Sequence, residues 1–220
     1  MFDWLKGKNQ EAEGLDAISR KFEQMLEDGR HVFDAAANTL LAGSDPDVVR
    51  ADLFATDKRI NKVEQEIRRA LVVHGSVHGS FSLPELLVMM SLVKDAERIG
   101  DYAKNLFDLA VHSRDAFVDA ERAELVALKD RISRLLAKTR NTYDGQDEEA
   151  ARRLLEECNR LEDECDGAVH RALVVEGRNL AANVLAYRYF KRVVSHAANI
   201  VTSLVMPIDK LDFFDEPRDA

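Results

Sequence analysis

Ile60-Asn61-Lys62-Val63-Glu64-Gln65-Glu66-Ile67 and Cys158-Asn159-Arg160-Leu161-Glu162-Asp163-Glu164-Cys165 carry one pattern of apolar and polar residues, 98 positions apart. Apolar residues three and four steps apart fall on one face of a helix. Two amphipathic helices share that much by chance, but here polar positions agree as well, as in Asn61 and Asn159. The likeness continues from Arg69-Ala70-Leu71-Val72-Val73-His74-Gly75 to Arg171-Ala172-Leu173-Val174-Val175-Glu176-Gly177, now 102 positions apart. The extra four residues make about one helical turn, so the buried seam keeps its face. A third block, Arg98 to Leu106, matches Arg192 to Ile200 at 94 positions, with Asn105 over Asn199. Blocks recurring in one order predict a tandem repeat, with units at 1–113 and 114–220.

The helical spacing extends over nearly the whole chain. Val49, Leu53, Thr56, Ile60, Val63, Ile67 and Ala70 form one narrow stripe, and Leu154, Cys158, Leu161, Cys165, Ala168 and Ala172 form another. Stripes of that width are what bundle helices bury against each other. Helices are predicted at 15–42, 46–74, 83–112, 116–143, 147–177 and 180–206. Gly43-Ser44-Asp45-Pro46 separates the first two, with Gly suited to a helix end and Asp and Pro to the next start. Ser82-Leu83-Pro84-Glu85 reads as a capping box, and Asp144-Gly145 as the stop of the fourth helix. Long helices with short connections predict an all-α protein: six antiparallel helices in two repeated three-helix bundles.

Bulk composition narrows the function. With 40 acidic against 31 basic residues the net charge is −9, and there is no basic stripe of the kind that nucleic acid requires. The longest apolar run, Leu86 to Met90, falls far short of the roughly 20 residues that span a membrane. Cys158 and Cys165 are about 10 Å apart along a helix, too far for a bridge, and read as reduced core residues. With no secretory leader, they point to the cytosol.

The stretch richest in chemistry is Asp95-Ala96-Glu97-Arg98-Ile99-Gly100-Asp101-Tyr102-Ala103-Lys104-Asn105. Glu97 and Asp101 share a face, about 6 Å apart along the axis. Like charges at that spacing repel by a few tenths of a kcal/mol. A bound cation would relieve this, as would Lys94 or Arg98. On the second helix Asp57, Asn61 and Glu64 flank the seam, and antiparallel packing could turn them toward Glu97 and Asp101. Carboxylate oxygens suit Mg²⁺, Mn²⁺ or non-haem iron. From spacing alone, a solvated acidic face is the commoner reading of such residues.

Residues 95–105 resemble the signature of PhoU proteins, an acidic residue followed by Glu-Arg-Ile-Gly-Asp-His-Ala-x-Asn. Asp57-x-x-Ile60-Asn61-x-x-Glu64 resembles the second-helix pattern of the family, itself a tandem repeat of three-helix bundles. The resemblance implies that Glu97 and Asp101 ligate metal, with Asp57 as a partner; Glu64 completes the candidate ligand set. Family members are described with iron, zinc or multinuclear clusters, or with magnesium-like ions. The resemblance further implies a non-enzymatic negative regulator of phosphate uptake that contacts a phosphate transporter and a sensor kinase. Such a protein is expected in the cytoplasm, peripheral at the inner membrane face, as a homodimer. The chain departs from the pattern at Tyr102, where the family has His. In the second repeat Lys191 and Ser195 replace the two acids, while His196 and Asn199 survive. A lysine cannot ligate as a carboxylate does, so only the first repeat is expected to keep a metal site.

Other features carry less. His74 and His78 are expected in a Gly-containing surface loop. Gly-x-Ser-x-Gly, Walker and Rossmann patterns are lacking, and so is Glu-x-x-His, which disfavours a di-iron oxidase. Met1-Phe2-Asp3-Trp4-Leu5-Lys6, Phe213 and Phe214 are expected to dock on the bundle, or else to touch a membrane or a partner. The alternatives are a metal-dependent enzyme on a helical bundle and a plain helical scaffold.

Overall fold

A computed structural model describes residues 10–78, 83–113, 116–175 and 180–213. Six long helices make up almost all of them: α1 (Gln10–Leu41), α2 (Pro46–His78), α3 (Leu83–Ser113), α4 (Asp119–Gly145), α5 (Glu148–Val174) and α6 (Ala181–Thr202). A short 3-10 turn, Ile208–Lys210, follows, and no strand occurs among the described residues. The stripes read from the sequence are the buried ones. Leu53, Thr56, Ile60 and Ile67 on α2, and Leu154, Cys158, Leu161, Cys165 and Ala168 on α5, are all inside. Each large apolar side chain so buried contributes about 1.5–3 kcal/mol relative to exposure.

Local chemistry sets the helix ends. Gly43 has φ +79°, the left-handed conformation that closes α1 at low cost. The Asp45 carboxylate then accepts from the Asp47 N–H at 2.9 Å and caps α2. Asp147 does the same for α5, accepting from the Ala150 N–H at 2.9 Å. Two readings need correcting. The left-handed residue that ends α4 is Gln146 (φ 52°), not Gly145, which is still helical. Residues 74–78 form no loop: α2 runs on through Gly75 to His78. A lone Gly costs a helix only about 1 kcal/mol. At Gly75 its bareness is also used, because a Cβ there would meet Leu86 Cδ1 of α3 at 3.0 Å. Residues 1–9, Ser82 of the expected capping box and Phe214 lie outside the described residues, and Phe213 is exposed.

Within each half the three helices pack on one another, and the halves meet along two seams, α1 on α4 and α3 on α6. At the first seam Phe22 meets Tyr143 edge to face, with centroids 4.8 Å apart. Arg122 of α4 donates to the carbonyls of Leu40 and Leu41, satisfying end groups that α1 leaves open. At the second seam Asp95 lies against His196 and Asn199, and Tyr102 against Tyr189, so α3 and α6 run antiparallel. The junction of α2 and α3 therefore lies at the opposite end of the molecule from the junction of α5 and α6. Both junctions are flanked by exposed apolar side chains: Val72, Val73, Leu83 and Leu87 at one, Leu173, Val174, Val175 and Leu185 at the other. No helix among the described residues is long and apolar enough to cross a membrane.

Candidate functional site

The middle of α3 packs on α1 through Ala96 and Ile99, which lie against Gly29, and on α2 through Gly100. Ala96, Ile99 and Ala103 are fully buried. A Cβ on Gly100 would lie 3.4 Å from Ile60 Cδ1 and 3.9 Å from Asp57 Oδ1, so α2 comes close at this position. That approach brings Asp57, only 9% exposed, beside the turn of α3 that carries Asp101 and Lys104. The Lys104 ammonium lies 2.9 Å from Asp57 Oδ1 and 2.9 Å from Asp101 Oδ1, bridging the two helices. Burial by itself would lower the Lys104 pKa. Hydrogen bonds to Asp101 and Asp57 outweigh it, and the net shift is upward. Asn61 Nδ2 approaches the other Asp57 oxygen at 3.4 Å, a long contact.

The other two carboxylates expected in the site have cations of their own. Lys94 donates to Glu97 Oε2 at 2.5 Å from one turn earlier on α3. Arg68 lies 3.1 Å from Glu64 Oε1, an ion pair without hydrogen-bond geometry. Thus Asp57 and Asp101 are brought together through Lys104, while Glu64 and Glu97 are each neutralised from their own helix. Among the described residues no group of three or more His, Cys, Asp or Glu side chains is placed to hold a metal ion.

Next to this face lies a network that sequence reasoning did not foresee. Asp95 Oδ1 accepts from His196 Nδ1 at 2.8 Å and from Asn199 Nδ2 at 3.0 Å, across the seam from α6. The Tyr102 ring, where the family signature has His, stacks on His196 at 5.6 Å and 22°. Asp212, itself exposed, also faces this network: partial desolvation first, then the charge of Asp95, raise its pKa, while His196 lowers it. The survival of His196 and Asn199 in the degenerate repeat was the available signal. They hold the first repeat's Asp95. In the second repeat Lys191, at the position of Glu97, donates to Asp166 of α5, and Arg188 lies 3.3 Å from the same carboxylate. Cys158 and Cys165 are buried and unbridged. Burial and neighbouring acids raise both thiols, Cys165 to about 12.

A tandem of three-helix bundles with an acidic, lysine-bridged groove on its first half is the class of protein that these observations define. Comparison with known proteins makes it specific. Residues 19–110 match the family model of the PhoU domain. PhoU from Pseudomonas aeruginosa superposes with a TM-score of 0.75, covering 89% of this chain and 97% of that one at 16% identity. The phosphate transport system regulatory protein PhoU from Streptococcus pneumoniae superposes with a TM-score of 0.69, covering 91% and 97% at 17% identity. No relative among the curated proteins matches the chain in sequence. Residues 19–110 therefore form a PhoU domain, as residues 95–105 suggested, and the chain shares its fold with the solved PhoU structures.

The metal that the family implies can be tested against these side chains. Two carboxylates from neighbouring helices are a plausible start for a hard-cation site. Here, however, the place between them is taken by an ammonium that satisfies both, and Glu64 and Glu97 are turned to other cations. Tyr102 is stacked against α6. As arranged, this donor set does not fit a resident metal ion.

Proposed function

We propose that this protein regulates phosphate transport by binding, without catalysis of its own. It acts at the cytoplasmic face of the membrane through contacts with a phosphate transporter and a sensor kinase, as a homodimer. The observation that carries the reading is the PhoU-domain match over residues 19–110, supported by the fold shared with PhoU proteins over nine-tenths of the chain. Two features favour binding over turnover. The buried thiols have pKa values raised far from thiolate chemistry, and the acids of the groove are neutralised by Lys104, Lys94 and Arg68. The metal reading of Asp57, Glu64, Glu97 and Asp101 is the competing account of the groove, in which a divalent ion takes the place of Lys104.

Deletion of the gene in its native host tests the regulatory role. Phosphate uptake in phosphate-rich medium is expected to rise. Cross-linking of the tagged protein in membranes is expected to recover a transporter or kinase component. Unchanged uptake together with recovery of neither component would sink the reading.

A further inference from the structure

We propose that Lys104 is the resident cation of the acidic groove, holding Asp57 and Asp101 together and closing the site to divalent metal in the native protein. Its Nζ is within hydrogen-bond distance of one oxygen of each carboxylate, on two different helices. A shared divalent ion would have to lie in that same place, since it too must touch both oxygens at once. An ammonium has three protons to donate and a single charge. It bridges two carboxylates without the six or more oxygens that hard cations demand, and the described residues of the groove offer no such shell. The lysine also arrives tethered, so no ligand has to be captured from solution and the bridge persists whatever the metal supply.

Three further observations agree. Glu97 is held by Lys94, so the other acid of the signature is spoken for. Tyr102, in place of a ligating His, is stacked against His196 on the far seam. In the second repeat Lys191 of α6, at the position of Glu97 rather than of Lys104, is hydrogen-bonded to the single acid Asp166 of α5. In both halves, then, a lysine of the third helix clasps an acid of the second.

The inference stands apart from the transport reading, since its test is metal binding in vitro. The full-length chain, purified without chelator, would be titrated with Mn²⁺ by calorimetry beside Asp101→Asn, Lys104→Met, Lys104→Arg and the double variant Lys104→Met/Asp101→Asn. Native protein, Asp101→Asn and Lys104→Arg are expected to bind Mn²⁺ equally weakly. Lys104→Met is expected to gain at least tenfold in affinity, and the double variant to lose that gain. Melting should follow: Mn²⁺ raises the midpoint of Lys104→Met and leaves the native protein unmoved. Stoichiometric Mn²⁺ on the native chain that Asp101→Asn abolishes would overturn the proposal, and so would a folded Lys104→Met that gains nothing. Should Lys104→Met fail to fold, the comparison of native protein with Asp101→Asn decides alone.

Discussion

At the scale of single residues, the partner of a charge mattered more than its presence. Of the acids singled out in the sequence, Asp57 and Asp101 meet through Lys104, while Glu97 is held by Lys94. It also named Lys94 and Arg98 as nearby cations, yet passed over Lys104, one turn beyond Asp101 on the same flank. Helix periodicity fixes which residues share a face, but not which of several side chains reaches across to a neighbour. That choice depends on the close α2–α3 approach at Gly100. Asp212 offers a residue-scale test. It has φ +67°, a region that Asn tolerates more readily than most residues, and its ionised form faces Asp95. Asp212→Asn is expected to raise stability only slightly at pH 7, by about a few tenths of a kcal/mol, because the position is exposed and its charge is screened by solvent. The pH dependence follows from the raised pKa. The cost of ionised Asp212 is fully present above its folded pKa and is relieved as pH falls through it toward the unfolded value. The advantage of the Asp212→Asn variant over the native chain should therefore shrink in urea titrations as the medium is acidified toward about pH 4.

At the scale of elements, six helices were legible because long 3-4 stripes overwhelm local irregularities. Their ends were less so. Gly75 read as a loop, since a Gly beside two His residues looks like a breaker, but α2 needs a bare position where Leu86 approaches. Gly145 read as the stop because Gly is the usual left-handed residue; Gln146 takes that role instead, its side-chain amide donating to the Tyr143 carbonyl at 2.5 Å. Glycines of α1 separate the two uses of this residue. Gly14 is exposed with nothing near its missing Cβ, so Gly14→Ala should stabilise by about 0.5–1 kcal/mol through helix propensity. At Gly29 a Cβ would stand 3.3 Å from Ile99 Cγ2, a stiff branched side chain in the core. Gly29→Ala should therefore destabilise, by about 1 kcal/mol or more. Chemical denaturation of both variants, followed by circular dichroism, checks the opposite signs.

At the scale of the molecule, six helices packed in two sets of three were legible and the way the sets meet was not. Matching blocks say that two similar units exist. They carry no information about crossing direction, which depends on the side chains along the seams. A further contact between the halves pairs the buried Phe33 of α1 with Phe190 of α6, edge to face at 5.6 Å. Phe33→Ala should cost about 3–5 kcal/mol. Because the buried core is continuous through both halves, fluorescence and circular dichroism should still report one coincident unfolding transition for the native chain. Separate transitions for the two probes would show the halves to be energetically independent.

The antiparallel seam between α3 and α6 has a geometric corollary. A helix of 31 residues such as α3 is about 45 Å long, so the two valine-bearing corners are separated by nearly the full span of the molecule and face away from each other. A flat surface can be touched by one corner at a time if α3 stands upright on it, leaving the other corner free for a second body. Orientation on a surface would thus decide whether this protein acts as a bridge between two partners or as a cover over one.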